Sequence, residues 1–175
     1  VVIEGADINY IISADIGYHI SDVLVDGLSV SAVASFSFMN VMANHTIHAA
    51  FAIDTFNITA RAFTGGTIDP SGTVVVNYGD DQTFAVAPDA GYHIADVLVD
   101  GLSVSAVSSY TFTNVIASHS ITAVFAINTY QLTITTGSNG IASPSGSVVV
   151  NYGDSLTVVL TPDSGYQVLD RKSVG

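Results

Sequence analysis

The pair Gly-Tyr stands at 17–18, 91–92 and 165–166, so the interval between copies is 74 residues both times. The surrounding words repeat with it. GYHISDVLVDGLSVSAVASFSFMNV at 17–41 returns as GYHIADVLVDGLSVSAVSSYTFTNV at 91–115, and a third copy opens at Gly165 as GYQVLDRKSVG. Over 17–54 and 91–128 the first two copies share 27 of 38 positions without a gap. A fixed period of this kind sets the architecture before any single residue does. It predicts one folding unit used repeatedly: a partial repeat over 1–54 lacking the first strand, a complete repeat over 55–128, and a partial repeat over 129–175 lacking the last strands. A unit of this size can close its own core, though narrowly.

Within the complete repeat the apolar residues alternate. In FNITARA, Phe56, Ile58 and Ala60 take one face while Asn57, Thr59 and Arg61 take the other, the period of a half-buried strand. YQLTITT keeps the pattern with Tyr130, Leu132 and Ile134. GGTIDPSG and SNGIASPSG then break it with turn residues that no strand interior accepts. TVVVNYGDDQTFAVAP reads as a hairpin turning at Tyr78–Asp81, with Phe84 and Val86 on the inner face of its return strand. In YHIADVLVDGLSV, Asp100-Gly101 between apolar flanks is the signal of a type I′ turn. Tyr110 and Phe112, then Ile121, Ala123 and Phe125, mark two further strands. Six or seven short strands and no apolar period of 3.6 make the fold class all-β: tandem small β-sandwich-like modules, with β-grasp-like modules as the alternative. HAAFAIDTFNITARA (48–62) crosses from one copy to the next without Gly, Pro or a Ser-rich stretch, so the junction is expected to be stiff and the array a rod.

Composition narrows function. Three basic residues face fifteen acidic ones, for a net charge of −12. Nucleic acid, which needs a basic footprint, and docking on anionic membranes are thereby disfavoured. Charged residues make up 10% of the chain, against about 25% in ordinary domains. The remaining surface is built of Ser, Thr, Asn and small apolar residues and suits lateral packing. Cysteine is absent, so no disulfide joins the modules. No run reaches the roughly 18 apolar residues of a spanning helix, and no membrane insertion is expected.

The order Val-x-Tyr-Gly (Val76–Gly79), Pro-x-x-Gly-Tyr (Pro88–Tyr92), Val-Asp-Gly (Val99–Gly101) and Phe-x-Asn-Val-x-Ala-x-His-x-Ile-x-Ala-x-Phe (Phe112–Phe125) resembles the divergent internalin-B-type repeats of bacterial and archaeal surface proteins. The resemblance covers the whole module. It implies an extracellular, cell-surface protein in which tandem repeats serve as stalks, spacers or adhesive segments. The better-known repeat of this kind is β-grasp-like and carries a Trp shortly after Gly-Tyr; Val97 stands near that place here.

Candidate chemistry is sparse. His19 and His93 follow Gly-Tyr, but the third copy has Gln167 there, so no role common to all copies falls to them. His45 and His119 sit between strands, where turn polarity or capping is the expected use. Asp89, Asp96 and Asp100 are the calcium candidates, with counterparts at Asp15, Asp22, Asp26, Asp163 and Asp170. Calcium favours clustered hard oxygens. No copy has an EF-hand loop, however, and Asp before Gly is what tight turns select in any case. Asn44-His45-Thr46 and Asn57-Ile58-Thr59 match the N-glycosylation sequon, and neither is kept in the next copy. No nucleophile, base and orienting group converge, so no catalytic residue, cofactor or enzyme activity is expected.

The expected function is a structural repeat segment of an extracellular stalk, sheath or filament. The alternative is an array of adhesin or carbohydrate-binding modules with a glycan or cell-surface ligand. The expected partners are neighbouring repeats or copies of the chain itself. Both ends fall inside a repeat, so either the segment belongs to a longer array or subunits exchange strands head to tail across open sheet edges. RKSVG, holding Arg171 and Lys172, replaces an apolar strand and reads as a divergent copy.

Overall fold

Alternating β-branched and aromatic residues, punctuated by Gly and Pro, leave strand as the only regular structure among the residues that the computed structural model describes, 2–169. The first copy supplies β1 (Ile8–Ile11), β2 (Tyr18–Val25), β3 (Leu28–Ser29), β4 (Ser35–Phe38) and β5 (Ile47–Ile53). The middle copy supplies β6 (Thr55–Ala62), β7 (Gly66–Asp69), β8 (Gly72–Asn77), β9 (Gln82–Pro88), β10 (Tyr92–Val99), β11 (Leu102–Ser103), β12 (Ser109–Phe112) and β13 (His119–Ile127). The third supplies β14 (Thr129–Ile134), β15 (Gly140–Ser143), β16 (Gly146–Asn151) and β17 (Val159–Pro162). The fold is all-β, built of small modules.

In the middle copy a five-stranded sheet, order β11-β10-β13-β6-β8, packs on a three-stranded sheet, order β12-β9-β7. One apolar cluster joins them: Ile58, Val76, Val97, Ile121 and Phe125 from the larger sheet meet Ile68, Phe84, Val86 and Phe112 from the smaller. Phe84, Ile58, Ile121 and Val97 are completely buried, each contributing about 1.5–3 kcal/mol by leaving water. Phe84 and Phe112 meet edge to face at 5.9 Å, an arrangement the ring quadrupoles favour. The first and last strands of the module, β6 and β13, run parallel at the centre of the larger sheet, with Ile58 opposite His119 and Ala62 opposite Ala123. The module therefore combines the two expected architectures. Its layers are those of a sandwich, while the central parallel pair belongs to a β-grasp-like sheet.

The expected hairpin at Tyr78–Asp81 does not form. β8 pairs with β6, from Thr55 opposite Asn77 to Ala60 opposite Gly72, and β9 pairs with β7 and β12. The turn instead carries the chain from one sheet to the other. Val76 and Phe84 can then point at one another's layer rather than lie on one face of the same sheet. The crossing is pinned where Gly79 N donates to Val115 O at 2.8 Å and Asn114 N donates to Asp81 Oδ1 at 2.7 Å. The Asp100-Gly101 hairpin does form, with φ of 50° and 81° at its two turn residues, the left-handed pair that a type I′ turn requires.

The flanking copies repeat this register in halves. β1 pairs with β4, and β3-β2-β5 form a sheet, matching β9 with β12 and β11-β10-β13. Even the β-bulge recurs, at Ile20/Asp22 and at Ile94/Asp96. β14 pairs with β16 and β15 with β17, matching β6 with β8 and β7 with β9. Residues 170–175, with Arg171 and Lys172, lie outside the described residues.

Candidate functional site

Successive copies are joined by one residue. Asp54 alone separates β5 from β6, and Asn128 alone separates β13 from β14. Each of these residues clasps both sides of its joint. Asp54 N donates to Gly17 O at 2.8 Å, while Asp54 O accepts from Tyr78 N at 2.8 Å. Asn128 N donates to Gly91 O at 2.7 Å, and Asn128 O accepts from Tyr152 N at 2.8 Å. With the bonds so placed, the ring of Tyr78 lies over Gly17 and the ring of Tyr152 over Gly91. A Cβ on either glycine would collide with the ring. Both glycines also have positive φ, 81° and 84°, which disfavours any side chain there. Tyr78 is flanked by Phe56 of its own copy, with ring centroids 6.4 Å apart.

The histidines after Gly-Tyr belong to these joints. His19 Nδ1 lies 2.7 Å from Asp54 Oδ1, and His93 Nδ1 lies 2.8 Å from Asn128 Oδ1. The first joint thus gains an ion pair whenever His19 is protonated, and the second has a neutral amide in the carboxylate's place. The sequence named the Tyr-Gly and Gly-Tyr pairs but not their meeting. The signal was that both recur at the same 74-residue interval, so any contact between them must recur as well.

A second repeated device closes the outer end of the β10–β11 hairpin. Asp100 Oδ2 lies 2.7 Å from His119 Nδ1, Asp100 Oδ1 accepts from Ser120 N at 2.7 Å, and the His119 ring stacks on Phe112 at 5.0 Å. In the first copy Asp26, His45, Thr46 and Phe38 reproduce it, with the Asp–His distance again 2.7 Å. The hydrogen bond from the histidine, followed by that from the backbone N–H, holds the carboxyls of Asp26 and Asp100 below the ordinary carboxylate range. His45 and His119 therefore do the capping expected of them, with the turn aspartate as partner.

The calcium candidates have separate tasks. Asp89 lies in the turn before Gly91, where its carbonyl accepts from Tyr92 N at 3.0 Å. Asp96 sits at the bulge, where Oδ1 accepts from Val97 N at 2.8 Å and from Ser103 Oγ at 2.7 Å. Asp100 holds the clamp just described. Among the described residues no group of three or more His, Cys, Asp or Glu side chains stands together as a metal site would require. Asn44 and Asn57, the sequon asparagines, are both exposed, the first in the β4–β5 loop and the second within β6.

Compared with known families, residues 56–129 and again 130–170 match the model of a family described as the divergent InlB B-repeat domain. No curated protein and no solved structure matches the chain.

Proposed function

We propose, for a chain that belongs to the divergent InlB B-repeat family, that it is a stiff spacer: a segment of an extracellular stalk on the cell surface that holds something else at a distance. One observation carries this reading. Two successive junctions are each a single residue long and are locked in the same way, a tyrosine of the later copy lying on a bare glycine of the earlier one. A flexible tether needs the opposite, several Gly or Ser residues with no bonds across the joint. Joints that share one set of backbone bonds and one tyrosine–glycine contact repeat the same geometry from copy to copy, which suits a rod. Small-angle scattering of residues 1–175 tests this. An elongated particle of fixed length is expected, and Tyr78→Ala with Tyr152→Ala loosens it measurably. A wild-type profile of freely jointed beads would refute the reading.

Head-to-tail association is the further form of the same proposal. Its support is the edge of β5, which among the described residues is bonded only to β2. In the middle copy β6 lies parallel to β13 along the matching edge, and Phe125 is 9% exposed there, whereas its counterpart Phe51 is 46% exposed. A strand of the β6 type fits that edge, whether from another repeat or from β14 of a second copy. Analytical ultracentrifugation over a range of concentrations distinguishes a monomer from end-joined chains.

A further inference from the structure

The five-stranded sheet has two edges, the two-residue β11 and the six-residue β8. The sequence of β8, GTVVVN, has no proline and no charge. One side of β8 is bonded to β6 and the other has no strand partner among the described residues. Val75 stands on the outer face of the sheet at 63% exposure, and its counterpart Val149 on β16 at 64%. Val76 and half-buried Val74 face inward at the rim of the core. Edges of this type invite an added strand, and proteins commonly blunt them with lysine, proline or a bulge. None of these is present in β8.

What flanks the edge selects its occupant. Asp69, the last residue of β7, lies three residues before Gly72, and Asp80 and Asp81, in the crossing to β9, lie three and four residues after Asn77. All three are exposed, each carboxylate keeping an oxygen free of the bonds that Asp80 accepts from Asn77 Nδ2 and Asp81 from Asn114 N. Two copies of the chain pairing β8 to β8 antiparallel would bring Asp69 of each against Asp80 and Asp81 of the other. Like charges brought together in this way oppose association. A basic strand meets the reverse situation. Arg61 is the single Lys or Arg among the described residues, and it lies just past the Ala60–Gly72 pair. β16 repeats the edge as GSVVVN, but with Ser143 and Ser155 where β8 has Asp69 and Asp81, leaving Asp154 alone.

We propose that β8 is a docking edge for an extended segment of another protein, alternately apolar and flanked by lysine or arginine, which adds to the sheet as a sixth strand. Main-chain bonds supply the attachment, apolar residues on one face extend the core past Val74 and Val76, and the flanking cations meet Asp69, Asp80 and Asp81. β16 takes the same segment more weakly.

The test is a titration of isotope-labelled residues 1–175 with the peptide KKVTVTVKK, followed by amide shifts, with EEVTVTVEE as control. Shifts are expected along 73–77, with those along 147–151 appearing at concentrations at least about threefold higher. Val75→Lys is expected to weaken binding at β8 by about tenfold or more, leaving the response of β16 intact as proof that the variant is folded. Should that variant unfold, Val149→Lys makes the reciprocal test at β16. Absence of shifts at millimolar peptide overturns the proposal, as does perturbation elsewhere or equal binding of the acidic peptide. Concentration-dependent self-association removed by Val75→Lys would overturn it too, because the occupant would then be a second copy.

Discussion

The first and middle copies have nearly the same words from residue 17 and residue 91 onward, yet only one of them closes a core. Val23 and Val97 are equally inaccessible, each lying in the half of the module, β2-β3-β5 or β10-β11-β13, that both copies possess. Phe51 and Phe125 differ widely, because only Phe125 has Gly66 and the strands around it to rest on. Tyr10 and Phe84 differ in the same direction, exposed in the first copy and buried in the second. Equivalent positions thus divide into those buried in both copies and those buried only where β6, β7 and β8 are present. Burial here belongs to the pairing of halves rather than to the local sequence.

Mutations can break this comparison. Phe84→Ala is expected to cost the middle copy about 3–5 kcal/mol, the range for a fully buried aromatic. Tyr10→Ala, at the matching site, should cost less than about 1.5 kcal/mol. Hydrogen exchange resolved by residue reads the two copies separately, and equal losses would mean that the exposed face of the first copy is covered in solution. The joints come next in size. Gly17→Ala and Gly91→Ala each combine an unfavourable positive φ with a collision against tyrosine, at about 1–3 kcal/mol. Because Gly17 and Gly91 have the same neighbour in each joint, the two losses should agree, unlike those at Phe84 and Tyr10. Gly101→Ala, with the same φ but open space around it, isolates the backbone share.

The clamps give the smallest effect. Asp26→Asn and Asp100→Asn should speed exchange of the Thr46 and Ser120 amides by less than about tenfold, and to the same degree in both copies. With acid the sign is fixed. Both carboxyls titrate below their ordinary 3.8 when folded, so the stabilisation is complete above that pH and is lost as pH falls through the lowered value. Protection of the Thr46 and Ser120 amides that did not change as pH falls through that lowered value would contradict the role given to the two carboxylates.

Much of this was legible beforehand. Of the positions that period-two alternation puts on one face, Ile58, Ala60, Phe84, Val86, Ile121, Ala123 and Phe125 are buried and Phe56 is half-buried, while Tyr130 and Leu132 of the third copy are exposed. The Asp100-Gly101 turn was readable because its backbone angles admit few residues. The turn at Tyr78–Asp81 was misread because Gly and Asp signal a reversal without saying whether the strands on either side will pair. That is decided by β6 and β7, which compete for the same edges from a distance in sequence. The contact of Tyr78 with Gly17 is hidden in the sequence for a related reason. Each half of the contact is an ordinary turn residue by itself, and the aspartate between them looked like part of a strand. For the aspartates proposed as calcium ligands, sequence could show recurrence but not convergence.

The parallel pairing of β6 with β13 has a mechanical consequence. Tension applied along a chain of these modules enters each one at Thr55 and leaves at Ile127, at opposite ends of two neighbouring strands that point the same way. Such a load cannot peel the ladder open one bond at a time. It must slide β6 past β13, straining together the bonds over the whole register from Ile58 and His119 to Ala62 and Ala123. The module is attached to its neighbours at the two points from which it is hardest to pull apart.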